Sequence, residues 1–166
     1  DKERRDYADI FQEVCRGPEG DKWQQHYDHL ASAAFDRSNR AALFHMANVY
    51  APFTQCTRSG SNDARFREAL NRSVELGYPP AQYIIGSARM NGGLGETQNV
   101  ASGLALLDRA FTGGSESAAW ALAIIYARGD FGVNVDRDTA LEYASIAERG
   151  RTLSRSQIGQ MWSAFD

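Results

Sequence analysis

The stretch AAWALAIIYARG, Ala118 to Gly129, is apolar or small until Arg128, so strand alternation and helical spacing fit it equally well. A near-copy, AQYIIGSARMNG, stands 37 residues earlier, from Ala81 to Gly92, and the offset resolves the choice. It continues without a gap, pairing Ile85 with Leu122, Gly86 with Ala123, Gly95 with Gly132, Asn99 with Asp136 and Gly103 with Ala140. A fixed period of roughly 20–50 residues marks a repeat architecture, whose units bury their apolar faces only by stacking. In the second half of each copy, Leu104, Leu107, Ala110 and Phe111, then Ala140, Tyr143, Ala144 and Ala147, recur at helical spacing. Each copy therefore predicts two antiparallel helices, and the opening stretch is a helix buried by neighbours on both sides.

The punctuation agrees with that reading. Asn99 and Asp136 stand where a side-chain oxygen caps the free N–H groups of a second helix. Gly113 and Gly150 fall where such a helix ends and a left-handed residue is needed. A weaker copy lies upstream, with Ala42, Met46, Ala47 and Tyr50 on its first helix and Asp63, Leu70, Val74 and Gly77 on its second. Its connecting loop, APFTQCTRSGSN, is longer, and Asp63 takes the capping place there. Residues 1–40 form a degenerate pair, and Ser154, Ile158, Gly159 and Trp162 repeat first-helix spacing once more. The expected organisation is one all-α domain over 1–166 with about nine helices. It consists of a degenerate pair (1–40), repeats 41–77, 78–113 and 114–150, and a capping helix 151–166. Atypical end units suit arrays whose last faces meet water.

These residues resemble the Sel-one-like repeat, a bacterial relative of the tetratricopeptide repeat. The third copy carries the pattern best, in Ala118, Leu122, Ala123, Tyr126, Gly129, Gly132-Val133, Asp136, Ala140, Tyr143, Ala147 and Gly150. The second departs from it with Arg89 where Tyr is usual and Leu106 at the later aromatic position. The resemblance implies a right-handed α-solenoid that holds other proteins and has no chemistry of its own. It also implies that the first helices line the concave side. Phe44, Tyr83 and Trp120 then stand above one another as an aromatic ladder, with Asn48, Asn91 and Arg128 near the same face. Aromatic and Arg side chains are the usual anchors of protein interfaces, although an aromatic here also serves packing between repeats. Relatives of this repeat include immunity proteins that neutralise secreted effectors such as lipases.

Composition narrows the function classes. Hydrophobic content of 43% and charged content of 23% are globular values, and 166 residues suffice for a core. A net charge of −3, with signs interspersed, offers no footprint for nucleic acid or acidic lipid. No apolar run reaches the roughly 18–20 residues that span a bilayer. The chain begins at Asp1, which fits a cleaved secretory signal as well as an arbitrary boundary.

Candidate chemistry is sparse. His26 and His29 lie three apart in QQHYDHL with Asp28 between them, but His45 belongs to another helix and no third ligand is evident. The glycines of MNGGLGE lack the Lys-Ser/Thr of a phosphate loop, and no Gly-x-Ser-x-Gly occurs. The expectation is no catalytic residue, no metal and no cofactor. Cys15 and Cys56 match neither CxxC nor a zinc pattern, and by composition they are either one disulfide or two buried thiols. The repeat places both at equivalent inter-helix positions of adjacent pairs, which stack on one edge. A Cys15–Cys56 disulfide and an oxidising compartment such as the periplasm follow as expectations. The sequence thus points to a non-enzymatic protein-binding module of the bacterial envelope. An inhibitor of a toxic effector is the leading reading and a scaffold or adaptor the second. A metal-dependent hydrolase using His26 and His29 is a third.

Overall fold

The computed structural model describes residues 2–16, 21–51, 56 and 62–149. The expected closing helix over 151–166 and Gly150 lie outside the described residues. Among the described residues, eight α-helices run in sequence: α1 (Lys2–Arg16), α2 (Asp21–Ala31), α3 (Arg40–Tyr50), α4 (Asp63–Glu75), α5 (Pro79–Asn91), α6 (Val100–Thr112), α7 (Glu116–Arg128) and α8 (Arg137–Arg149). A π-helical turn, Ser32–Asp36, prolongs α2, and among the described residues there is no strand. Two compact units, 1–81 and 82–166, meet within α5.

Backbone hydrogen bonding shows why the pairs repeat. The N–H of the residue before each second helix returns to a carbonyl at the end of the first. Asn62 donates to Tyr50 O (3.0 Å), Asn99 to Arg89 O (2.8 Å) and Asp136 to Tyr126 O (2.9 Å). The same three residues then cap the helix that follows. Their side-chain oxygens accept from Arg65 N (3.1 Å), Ser102 N (3.0 Å) and Thr139 N (3.0 Å). The first-repeat cap is therefore Asn62, not Asp63. Asp63 is already helical and pairs with Arg67 one turn on, at 2.9 Å. Asn62, Asn99 and Asp136 are each 37 residues apart, so the exact period selects Asn62.

The second helices end in a common motif as well. Tyr78 N donates to Ser73 O (3.0 Å) and Ser115 N to Ala110 O (2.9 Å), each bond enclosing a left-handed glycine. Those glycines are Gly77 (φ 72°) and Gly114 (φ 89°), again 37 apart. Gly113, expected in that role, has φ −76° and is the last turn's cap instead.

Close approach holds the helices of each pair together. A Cβ on Gly86 would lie 3.1 Å from Gly103 O, and one on Gly103 would lie 2.9 Å from Gly86 O. The backbones of α5 and α6 thus touch where both side chains are absent. At the same two positions of the next repeat, Ala123 and Ala140 are fully buried in one cluster with Ala127 and Ala144. Small residues set this crossing in both repeats. The cap supplies a direct check. Asn99→Ala should lower stability by about 1 kcal/mol, read as a shifted midpoint in urea denaturation.

In the first unit, Cys15 at the end of α1 is bonded to Cys56 in the α3–α4 loop, with Cα atoms 4.5 Å apart. Val14, Cys15 and Leu30 are buried, so the C-terminal end of α1 carries its anchorage. Phe11, one turn earlier, packs its ring on His45 of α3 with centroids 5.7 Å apart.

Candidate protein-binding surface

The six residues expected on the binding face lie on α3, α5 and α7, the first helices of their pairs. In the first unit, Phe44 is half-buried between the rings of His45 (5.5 Å) and Tyr78 (5.4 Å). Asn48, also half-buried, donates from Nδ2 to Phe44 O at 3.1 Å.

In the second unit, Tyr83 is half-buried against the cluster of Met90, Leu107, Leu122 and Ile125. Trp120 covers the separate alanine cluster of Ala123, Ala127, Ala140 and Ala144. Each aromatic is therefore packed on a cluster and partly exposed. Arg128 is exposed in the last turn of α7, where its charge complements the helix dipole. Asn91 is exposed, and its Oδ1 accepts from Gly93 N at 2.8 Å, so it shapes the turn that follows α5. Tyr83 and Trp120 pack on different clusters, and the one beside Tyr83 includes Leu122 and Ile125 of the next repeat.

Two polar-aromatic clusters were not evident from the repeat pattern. Tyr27 of α2 and Tyr50 of α3 share a 2.6 Å hydroxyl–hydroxyl hydrogen bond. Arg65 of α4 donates to the Tyr50 hydroxyl at 3.2 Å and lies 5.4 Å from that ring's centroid. Trp23 stacks on Tyr27 at 5.6 Å and donates its indole N–H to Val14 O at 2.7 Å. In the other unit, Tyr143 is wedged between Phe111 (4.9 Å, edge-on) and Tyr126 (6.0 Å, stacked). Its hydroxyl donates to Asp108 Oδ1 at 3.3 Å.

Burial, then the neighbouring Tyr50 hydroxyl, pushes Tyr27 up to about 12, and burial followed by the Asp108 carboxylate does the same for Tyr143. A phenol whose folded pKa is raised favours the fold while it stays neutral. Its contribution is full below the unfolded value near 10 and is lost as pH rises toward about 12. Alkaline absorbance titration should show late-ionising tyrosine intensity, and Tyr143→Phe should remove part of it. At the acid end, the Thr139 amide and hydroxyl donate to Asp136 and hold its carboxyl below the usual range.

Arg89 takes the place filled by Tyr50 and Tyr126 in the neighbouring repeats. Its guanidinium donates to Glu96 Oε2 at 2.8 Å and to the Ser102 hydroxyl at 2.9 Å, fastening the α5–α6 loop to α6. The histidines are dispersed. His29 faces the Tyr7 ring at 6.5 Å, and His45 is buried between aromatic rings. No three His, Cys, Asp or Glu side chains converge among the described residues. No described helix is long and apolar enough to cross a membrane.

Solved structures match this arrangement. A Sel1 repeat protein from Oxalobacter formigenes aligns over 84% of this chain and 98% of its own, with TM-score 0.68 and 23% identity. The chain has the Sel1-repeat fold. A protective antigen present in uropathogenic Escherichia coli strains, itself displaying that fold, aligns over 74% of this chain with TM-score 0.63 and 23% identity. This chain spans 25% of the antigen's length. No protein-family model and no curated protein matches the sequence. The Sel1-repeat fold accounts for the paired helices, the small-residue crossings and the glycine turns together.

Proposed function

We propose that this chain is a non-enzymatic module that grips another protein through the first helices of its repeats. The observation that carries the proposal is the recurrence of a half-buried aromatic, Phe44, Tyr83 and Trp120, at one repeat position. Each packs against neighbouring side chains and stays partly open to solvent. Such seating removes much of the entropic cost of contact, which is why Trp and Tyr dominate interface energetics. The Cys15–Cys56 bond supports work in an oxidising compartment, in a bacterium the periplasm.

Within that reading, an inhibitor of a secreted effector enzyme fits the acidic balance of the chain. A scaffold role has one observation in its favour, since a matching structure of this fold is about four times longer than the aligned share.

The test is capture of the partner from the native envelope, then calorimetry with the identified protein. Trp120→Leu keeps apolar cover over the alanine cluster while removing the indole. It should weaken binding by at least about tenfold, as a central aromatic anchor does, with helical circular dichroism retained. If Trp120→Leu binds normally, or if it melts the chain, the gripping face lies elsewhere. An inhibitor would also abolish the partner's activity at one equivalent, whereas a scaffold would leave it intact.

A further inference from the structure

The first aromatic of the gripping face is held differently from the other two. Tyr83 and Trp120 pack on clusters whose buried members are aliphatic. Phe44 instead rests on two rings, His45 at 5.5 Å and Tyr78 at 5.4 Å. His45 aligns with Ile84 and Ala121 of the later repeats, so an imidazole occupies this position only in the repeat that follows the degenerate pair. That pair supplies its cover: Phe11 of α1 packs on the same imidazole at 5.7 Å, and His45 is left 9% exposed. Phe11, His45, Phe44 and Tyr78 thus form a continuous series of rings from α1 across α3 to the start of α5.

Phe11 keeps its place through the last turn of α1. Among the described side chains of that helix only Val14 and Cys15 are buried, while Asp6, Asp9, Gln12, Glu13 and Arg16 are exposed. A helix this polar gains little from hydrophobic burial, which scales with apolar area. Two fastenings compensate. The Trp23 indole donates to Val14 O at 2.7 Å, and Cys15, one turn beyond Phe11, is bonded to Cys56. Without the bond α1 is free to leave, and the polar imidazole it covers is then drawn to water. Phe44, already half-exposed, would lose one of its two ring neighbours. An anchor that changes rotamer must be ordered again on contact, at a cost to affinity. We propose that Phe11 and the Cys15–Cys56 bond are positioning residues for partner binding, which act through His45 to hold the Phe44 ring ready for contact. This inference rests on the protein-gripping reading and deepens it, because the grip at α3 becomes conditional on the disulfide.

The experiment combines a readout that needs no partner with one that does. Ring NMR signals of Phe44, assigned with Phe44→Leu, are compared in the oxidised chain, in Phe11→Ala, and in Cys15→Ser combined with Cys56→Ser. The temperature is one at which circular dichroism shows the helices retained. The expected result is a restrained Phe44 ring in the oxidised chain and averaged signals in both variants, with Trp120 signals unmoved. Calorimetry with the partner captured from the envelope should then show about tenfold weaker binding for each variant. Adding Phe11→Ala to Phe44→Ala should cause no further loss, since a residue that acts through another is not additive with it. General loosening of the fold would add to Phe44→Ala instead. Should Phe11→Ala not fold, Phe11→Leu takes its place, keeping apolar volume without the ring. Unmoved Phe44 signals or additive losses, with Phe44→Ala still weakening binding, would overturn the positioning and leave the gripping face standing. A Phe44→Ala chain that binds as tightly as the unaltered one would remove α3 from the gripping face and overturn the inference with it.

Discussion

Replacing Cys15 and Cys56 with serine should lower the stability of the first unit by about 4 kcal/mol, the loop-closure entropy of a bridge of this span. The residues are 41 apart in sequence, so the bond constrains a long stretch of the unfolded chain. Whole domains are stable by only about 5–15 kcal/mol, so this is a large share. At roughly 2–4 °C per kcal/mol for a chain of this size, the melting temperature should fall by about 8–16 °C. The loss should be local. The bond joins α1 to the α3–α4 loop, so α1 should lose hydrogen-exchange protection first, while α6 to α8 stay protected. Cys15 and Cys56 are 6% and 8% exposed, so mild reductant should act slowly on the folded chain. A serine double variant that melts with the wild type would show that packing of Phe11, Val14 and Leu30 suffices.

The second large effect lies at the α5–α6 crossing. A Cβ on Gly103 would meet Met90 Sδ at 2.6 Å and Gly86 O at 2.9 Å. Met90 can move, but the carbonyl belongs to the helix backbone. Gly103→Ala gains about 1 kcal/mol of helix propensity against an overpacking cost of about 1–3 kcal/mol, so the net change is a modest loss. Gly103→Leu adds three more carbons with nowhere to place them, and should cost about 3 kcal/mol or more. Guanidinium denaturation of both variants would show the order. Equal stability of the leucine variant would mean that α5 and α6 separate without penalty.

Most of the helix pairing was legible because the period is strict, and the misplacements arose where neighbouring residues both suited the role. Asp63 was chosen as a cap by residue type, while the 37-residue step leads to Asn62. Gly113 and Gly150 are also 37 apart, so the step alone does not exclude Gly113, but the step from Gly77 leads to Gly114. The disulfide was legible because equivalent loops of neighbouring pairs share an edge, which turned two distant cysteines into neighbours. The Tyr27–Tyr50–Arg65 cluster was not legible. It joins Tyr50, a repeat position, to Tyr27 of the degenerate first pair and to Arg65, whose place is held by Ser102 and Thr139 in the later repeats, so no periodicity marks the combination. Phe131 was hidden for the opposite reason. It sits inside the repeat, aligned with Leu94 and sharing its left-handed backbone, but it is exposed where Leu94 is half-buried, a difference no spacing rule reports. Of the expected surface, Phe44, Tyr83 and Trp120 were placed by register alone. How deeply each sits depends on the neighbouring helices.

In all three repeats the bond that closes the pair goes from one main-chain group to another, from a cap residue's N–H to a carbonyl in the last turn of the first helix. Because it ignores side-chain identity, Tyr50, Arg89 and Tyr126 serve it equally. It also ignores how much chain lies between, since the span is two residues longer in the first repeat than in the others. The connection is therefore a socket for foreign sequence: a peptide epitope or reporter tag spliced between Gly95 and Gln98 should leave both flanking helices in register.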